Sequence, residues 1–77
     1  MDALPEGNGG LVSSLTVRER EVLRRTSLGQ TNAQMAEALG ISIHAVKFHL
    51  ASIFGKLGVS TRTAAVQRAL KLGAIQL

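Results

Sequence analysis

The chain has 77 residues, no cysteine and a formal net charge of +4. A chain of this length forms one small domain, and without cysteine it has no disulfide framework, thiolate metal site or cysteine nucleophile. Hydrophobic residues make up 45% of the sequence and aromatic residues only 3%, so aliphatic side chains must build the core. Because it has no long apolar run and no secretory pattern, we expect no membrane partner and a soluble chain in the reducing cytoplasm.

Positive charge is concentrated in the second half of the chain. Beyond Glu37 the sequence has five cations and no acid, and the cations are Lys47, Lys56, Arg62, Arg68 and Lys71. A surface that carries only positive charge attracts a polyanion, although an ordinary solvated surface can give the same pattern of charges. Nucleic acid is therefore the leading candidate partner.

Residues 1–14 are rich in glycine, contain a proline and have no helical period, which predicts a disordered arm or a linker to a segment upstream. The folded domain is expected over residues 15–77. Four glycines divide it into helical blocks: Gly29, Gly40, Gly58 and Gly73. No block alternates like a strand, and the last helix is capped by Ser60 or Thr61. The predicted fold class is all-α.

The first helix begins at a capping box. Thr16 and Glu19 can exchange hydrogen bonds there, with Leu15 as half of a hydrophobic staple, so we place this helix at about Val17 to Ser27. Glu19 also lies at the margin of the core, where an unpaired carboxylate is costly. We predict an ion pair between Glu19 and Arg62 at the start of the fourth helix. The alternative is that Glu19 only caps its own helix.

The next two helices have the spacing of a helix-turn-helix. Thr31 and Gln34 repeat the capping box, and Gly40 stops this short second helix. Ser42 then caps a third helix from Ile43 to Leu57. Two helices joined by three to four residues with a glycine match the helix-turn-helix motif.

The third helix has two contrasting faces at about 100° per residue. Its apolar face, expected in the core, consists of Val46, Leu50, Ile53 and Leu57. The opposite face has no acid and consists of His44, Lys47, Phe48, Ala51 and Gly55. Lys47 can donate to guanine O6 and N7 in a major groove, while Phe48 and Ala51 can contact a thymine methyl group. The alternatives are that Lys47 is an ordinary solvated lysine and that Phe48 covers another helix.

Neither catalysis nor metal binding is expected. His44 and His49 are five residues apart and point to different sides of the helix, so they cannot share a metal ion. No Ser, His and Asp cluster into a catalytic pattern, and no glycine-rich phosphate loop precedes a helix. We therefore expect no enzyme activity and no cofactor.

Four segments, in order and spacing, resemble the LuxR-type (NarL/FixJ-like) DNA-binding domain. They are residues 15–23 (LTVREREVL), 29–36 (GQTNAQMA), 46–49 (VKFH) and 56–59 (KLGV), followed by Arg62 and Ala65. The resemblance covers residues 15 to about 73. It implies a four-helix domain that binds double-stranded DNA as the effector part of a bacterial transcription regulator, of the response-regulator or quorum-sensing type. The third helix would read the major groove and the fourth would form a dimer.

The resemblance also implies roles for individual residues. The base-reading positions match Lys47, Phe48 and Ala51, with His44 beside them. The phosphate-facing positions match Thr31, Asn32 and Lys56, and Ser42, at the start of the third helix, is a further candidate for a phosphate contact. Two departures matter, because Ala45 stands where a phosphate-contacting threonine is common and Ala51 where a long polar residue is common. Specificity is then narrow, apolar and weighted to thymine, or binding is weak without a partner domain.

The fourth helix is expected to make the dimer through an apolar ridge of Val66 and Leu70 beside Gln67. A contact this small predicts a weak homodimer that pairs on DNA. The alternative is that this ridge packs against the N-terminal arm or the first helix. RNA polymerase is a further candidate partner.

Two other functions stay open. Region four of a sigma factor shares the Arg-Glu-x-Glu-Val-Leu opening and a similar turn, although the fourth helix favours the LuxR type. A protein-interaction module could instead use Phe48, Val66 and Leu70 as an apolar patch. Salt separates these classes, because DNA binding weakens steeply as salt rises and an apolar protein contact does not.

Overall fold

A computed structural model describes residues 14–76 of the chain. These residues form four helices and no strand: α1 (Val17–Ser27), α2 (Asn32–Leu39), α3 (Ile43–Leu57) and α4 (Arg62–Leu72). The all-α prediction and the predicted bounds of the helices are confirmed. The arm predicted for residues 1–14 lies outside the described residues, apart from Ser14.

Side-chain caps begin the helices as predicted. The Thr16 hydroxyl accepts from the Glu19 N–H at 3.0 Å, and the Glu19 carboxylate accepts from the Thr16 N–H at 2.9 Å. Thr31 and Gln34 form the same reciprocal pair at the start of α2, at 3.1 and 2.8 Å. At the start of α4 the capping residue is Thr61. Each box satisfies two amide groups that a helix start leaves without partners.

Glycines end α2 and α3. Gly40 and Gly58 have φ angles of +67° and +68°, a left-handed conformation that is costly for residues with a Cβ. Beyond Gly40, the Ile41 N–H donates back to the Ala36 carbonyl at 3.0 Å, which is the closing bond of a Schellman motif. The chain therefore turns sharply from α2 into α3.

The core lies around α3, which packs against each of the other three helices, while α1 also packs against α4. Every helix contributes side chains with no exposed surface: Val22 and Leu23, Met35, Val46 and Ile53, and Ala65 and Ala69. The two alanines allow α4 to approach closely. Because α3 is held on one side by three helices, the direction of its opposite face is determined.

Within residues 14–76, no single helix is long and apolar enough to cross a membrane. The pair formed by α2 and α3 reaches that length and composition only when taken together, and it is bent by 107° at the turn. Several of its apolar side chains belong to the core, among them Met35, Val46 and Ile53.

Candidate nucleic-acid interface

The two faces of α3 are placed as the sequence predicts. Its apolar face is buried, as shown by Val46, Leu50, Ile53 and Leu57. The opposite face is exposed throughout and consists of His44, Lys47, Phe48, Ala51 and Gly55. We call these five residues the recognition face. It carries no acidic side chain and is open to a ligand along about three helical turns.

Phe48 is the most prominent side chain of the recognition face. It is 73% exposed, so it does not cover another helix of this domain. Its ring meets the neighbouring His49 ring edge to face, with centroids 6.1 Å apart and an interplanar angle of 67°. His49 itself is half-buried. A Cβ added at Gly55 would meet no atom within 4 Å, so the C-terminal part of this face has room for close approach.

The starts of α2 and α3 hold three of the residues predicted to face phosphates. Thr31 and Ser42 are exposed N-caps, and the Ser42 hydroxyl accepts from the Ala45 N–H at 3.0 Å. Helix starts carry partial positive charge and free amide donors, which suit a phosphate. Asn32 is the first residue of α2, and its side-chain oxygen accepts a hydrogen bond from the Arg62 guanidinium.

Lys56, which matches a phosphate-facing position, is paired within the domain. Its ammonium donates to Glu19 Oε1 at 2.7 Å and to the Ser14 carbonyl at 2.8 Å. Only about a third of its side chain, 32%, is exposed. The charge of Lys56 is therefore neutralised inside the domain, and its first role is to hold the end of α3 against the start of α1.

The predicted pair of Glu19 with Arg62 is wrong. Glu19 is 4% exposed and pairs with Lys56, while its second oxygen accepts from the Ser52 hydroxyl at 2.6 Å. Burial raises the pKa of Glu19, but the hydrogen bonds from Lys56, Ser52 and the Thr16 amide outweigh burial and lower that pKa from 4.5 to about 2. The carboxylate therefore stays charged and ties α1 to α3 instead of α4.

Arg62, the predicted partner of Glu19, is exposed. The Arg62 guanidinium donates a hydrogen bond to the Asn32 side chain, which joins the start of α4 to the start of α2. The guanidinium therefore lies beside residues expected to face phosphates. Sequence reasoning missed this placement because the two residues are 30 positions apart. A signal did exist for the Glu19 partners, since Ser52 and Lys56 are four residues apart and share one side of α3.

The predicted dimer ridge is partly covered by its own domain. Val66 and Leu70 are half-buried and pack against the core, while Gln67 is exposed. Val66 lines an open groove that also includes Thr26 and Arg62. Leu70 lines a second depression, and Gln67 lies at the edge of both.

Within the described range no three of the His, Cys, Asp and Glu side chains come together in a way that could hold a metal ion. What the fold does provide is a bent helix pair, braced by two further helices, whose second helix exposes an acid-free face. This arrangement defines a helix-turn-helix domain of the kind that places its second helix in a DNA groove.

The comparison with known families agrees with this class. Residues 13–69 match the family described as bacterial regulatory proteins, luxR family. The chain belongs to this family, and it is a LuxR-type helix-turn-helix DNA-binding domain of transcriptional regulators. The predicted resemblance is confirmed, and the match favours it over the sigma-factor alternative.

Two curated relatives are much longer than the chain. It is 51% identical over 55 residues to the probable transcriptional regulatory protein SgaR of Hyphomicrobium methylovorum, covering 71% of this chain and 26% of that protein. It is 43% identical over 63 residues to the transcriptional activator RamA of Corynebacterium glutamicum, covering 82% of this chain and 22% of that protein. The chain thus spans about a quarter of the length of these curated relatives.

Two solved structures share the fold. The response regulator ChrA of a heme-sensing two-component system superposes with a TM-score of 0.78 at 44% identity, over 79% of this chain and 30% of that one. The transcription factor GerE superposes with a TM-score of 0.77 at 34% identity, over 80% of this chain and 92% of that one.

Proposed function

We propose that the recognition face of α3 enters the major groove of double-stranded DNA and that the chain acts there as the effector part of a bacterial transcription regulator. The observation that carries this proposal is the exposed, acid-free recognition face directly opposite the core. A helix fits the width of the major groove, and α3 is held by three other helices, so the domain can present it without rearrangement.

The proposed base contacts come from the recognition face and the phosphate contacts from its borders. Lys47 donates to guanine, with His44 and Ala51 beside it. Thr31, Asn32 and Ser42 meet phosphates at the starts of α2 and α3, and we add Arg62 because it lies against Asn32. Lys56 is assigned a positioning role, since Glu19 already compensates its charge. The proposal gives the chain no catalytic role.

We also propose a weak dimer that forms through α4. Val66 and Leu70 are half-buried, so little apolar area is left for a second copy, far below the roughly 1,000 Å² of a stable interface. Two copies would then pair when adjacent half-sites hold them about 34 Å apart on DNA. We also propose a cytoplasmic location and RNA polymerase as a further partner, because a DNA-bound regulator acts on transcription.

Salt dependence of binding to a fluorescent random-sequence duplex tests the proposal. With Lys47 and Arg62 as the two cations of the interface, affinity should fall roughly tenfold between about 50 and 200 mM salt. Lys47→Glu should abolish binding, whereas Arg20→Glu, which changes net charge equally on the exposed side of α1, should weaken it only slightly. Affinity that is independent of salt, or equal losses in both variants, would contradict the proposal.

A further inference from the structure

Phe48 lies on α3 directly opposite the buried face of that helix, on the surface that the proposed function turns toward DNA. At about 100° per residue, it lies within about 60° of His44, Ala51 and Gly55 on the side of α3 opposite the buried Ile53. The other large apolar side chain exposed on α3 is Ile43, 45% exposed, and it lies off this stripe near the helix start. A ligand that approaches α3 from the side opposite the core therefore meets the Phe48 ring.

The charges around Phe48 favour DNA as the molecule that covers it. The recognition face includes Lys47 and no acid, and no acidic residue occurs anywhere beyond Glu37 in the sequence. An apolar patch that binds another protein can be surrounded by positive or negative residues, whereas a patch that binds a polyanion must be surrounded by positive ones. Ala51 and Gly55 follow Phe48 along the helix, and neither has a side chain that would keep the helix from approaching closely.

The major groove offers a phenyl ring one apolar group. Base pairs present hydrogen-bond donors and acceptors there, and in addition the C5-methyl group of thymine. A phenyl ring cannot exchange hydrogen bonds with the polar groups, so facing them would cost their hydration without compensation. The methyl group, in contrast, gains from losing contact with water.

We infer that Phe48 reads the 5-methyl group of a pyrimidine, and that the chain therefore accepts 5-methylcytosine as well as thymine at that position. The inference rests on the proposed function and specifies what the recognition face recognises. Both bases carry the methyl group on the same ring carbon and present it in the major groove. The edge-to-face contact with the half-buried His49 supports the ring, so less side-chain freedom is lost on binding.

Removing a single methyl group from the DNA tests this inference. A pool of duplexes with a random central segment is prepared once with thymine and once with uracil, which lacks only that methyl group, and each pool is selected with the 77-residue chain. In the best-enriched duplex each thymine is then changed singly to uracil. At the position read by Phe48 the change should weaken binding about fourfold, as expected for one buried methyl group.

The same position should distinguish 5-methylcytosine from cytosine by a similar factor. Phe48→Ala should bind the methylated and unmethylated forms equally, and Phe48→Leu should keep part of the preference. Val17→Ala, which shortens a side chain that is 81% exposed on α1, is the matched control and should keep all of it.

The outcomes separate this inference from the proposed function. Salt-dependent binding with equal affinity for thymine and uracil at every position would overturn the role of Phe48 and leave the proposed function standing. A methyl preference that persists in Phe48→Ala would assign it to another residue and would likewise overturn the inference. If neither pool is enriched and no salt-dependent binding is seen, the proposed function fails and the inference fails with it.

Discussion

Neutralising Glu19 should remove a large share of the stability of this domain. In Glu19→Gln the amide keeps an oxygen that can accept from the Thr16 N–H and from Lys56, and its NH₂ can donate to the Ser52 hydroxyl. The substitution therefore changes the charge much more than the shape. It leaves the Lys56 ammonium, whose side chain is only 32% exposed, without a counter-charge.

The size of the effect follows from the pKa of Glu19. Lowering that pKa from 4.5 to about 2 corresponds to about 3 kcal/mol of unfolding free energy. Solvent screening reduces this value, because the Lys56 side chain that pairs with Glu19 is 32% exposed although the Glu19 side chain itself is 6% exposed. A domain of this size is stable by only about 3 to 9 kcal/mol. We therefore expect Glu19→Gln to lower the unfolding free energy at pH 7 by about 2 to 3 kcal/mol.

The dependence on pH has a definite sign. Because the pKa of Glu19 is lower in the folded than in the unfolded chain, the contribution is fully present above pH 4.5 and is lost as the pH falls toward about 2. The difference between wild type and Glu19→Gln should shrink over the same range. Urea unfolding followed by far-ultraviolet circular dichroism at a series of pH values measures it.

Glu21→Gln is the matched control on the same helix. Glu21 pairs with Arg24 and Arg25 at 2.9 and 2.7 Å, and a hydrogen bond from Arg24 lowers its pKa. Because these pairs are partly exposed, we expect a loss of at most about 1 kcal/mol. A Glu19→Gln loss that equals the Glu21→Gln loss, or one that stays constant from pH 7 to pH 2, would refute the reasoning.

Three further outcomes are expected. In double-mutant cycles of unfolding free energy, Glu19→Gln should couple to Lys56→Met by more than about 0.5 kcal/mol and be additive with Arg62→Met; the reverse result would restore the original pairing. Lys47→Ala should weaken binding to a selected duplex by about 1 to 3 kcal/mol and relax the preference at one G·C pair. Fluorescence anisotropy measures the binding, and equal losses on selected and scrambled duplexes would show that Lys47 contacts the DNA backbone. In sedimentation with a duplex of two half-sites, wild type should bind as two copies and Leu70→Glu as one; wild type that saturates at one copy would exclude the dimer.

The helices of this protein could be predicted because their signals are local. Thr16 and Thr31 cap helices through bonds to residues only three positions ahead, and Gly40 and Gly58 stop helices through their own backbone angles. The buried face of α3 follows from a period of about 3.6 residues. The resemblance to the LuxR type depends on the same short segments, and the family match confirms it.

Which helices are tied together was decided by tertiary structure. A buried carboxylate on α1 needs a cation, and the sequence pointed to Arg62 on α4, whereas the packed domain supplies Lys56 on α3. The choice depends on how α1 docks on α3, and this docking brings Lys56 within 2.7 Å of Glu19 although 37 positions separate them in the chain. Packing of that kind also covers Val66 and Leu70 in part. Periodicity identifies the face of a helix on which a residue lies, but only the packed helices determine which neighbour it meets.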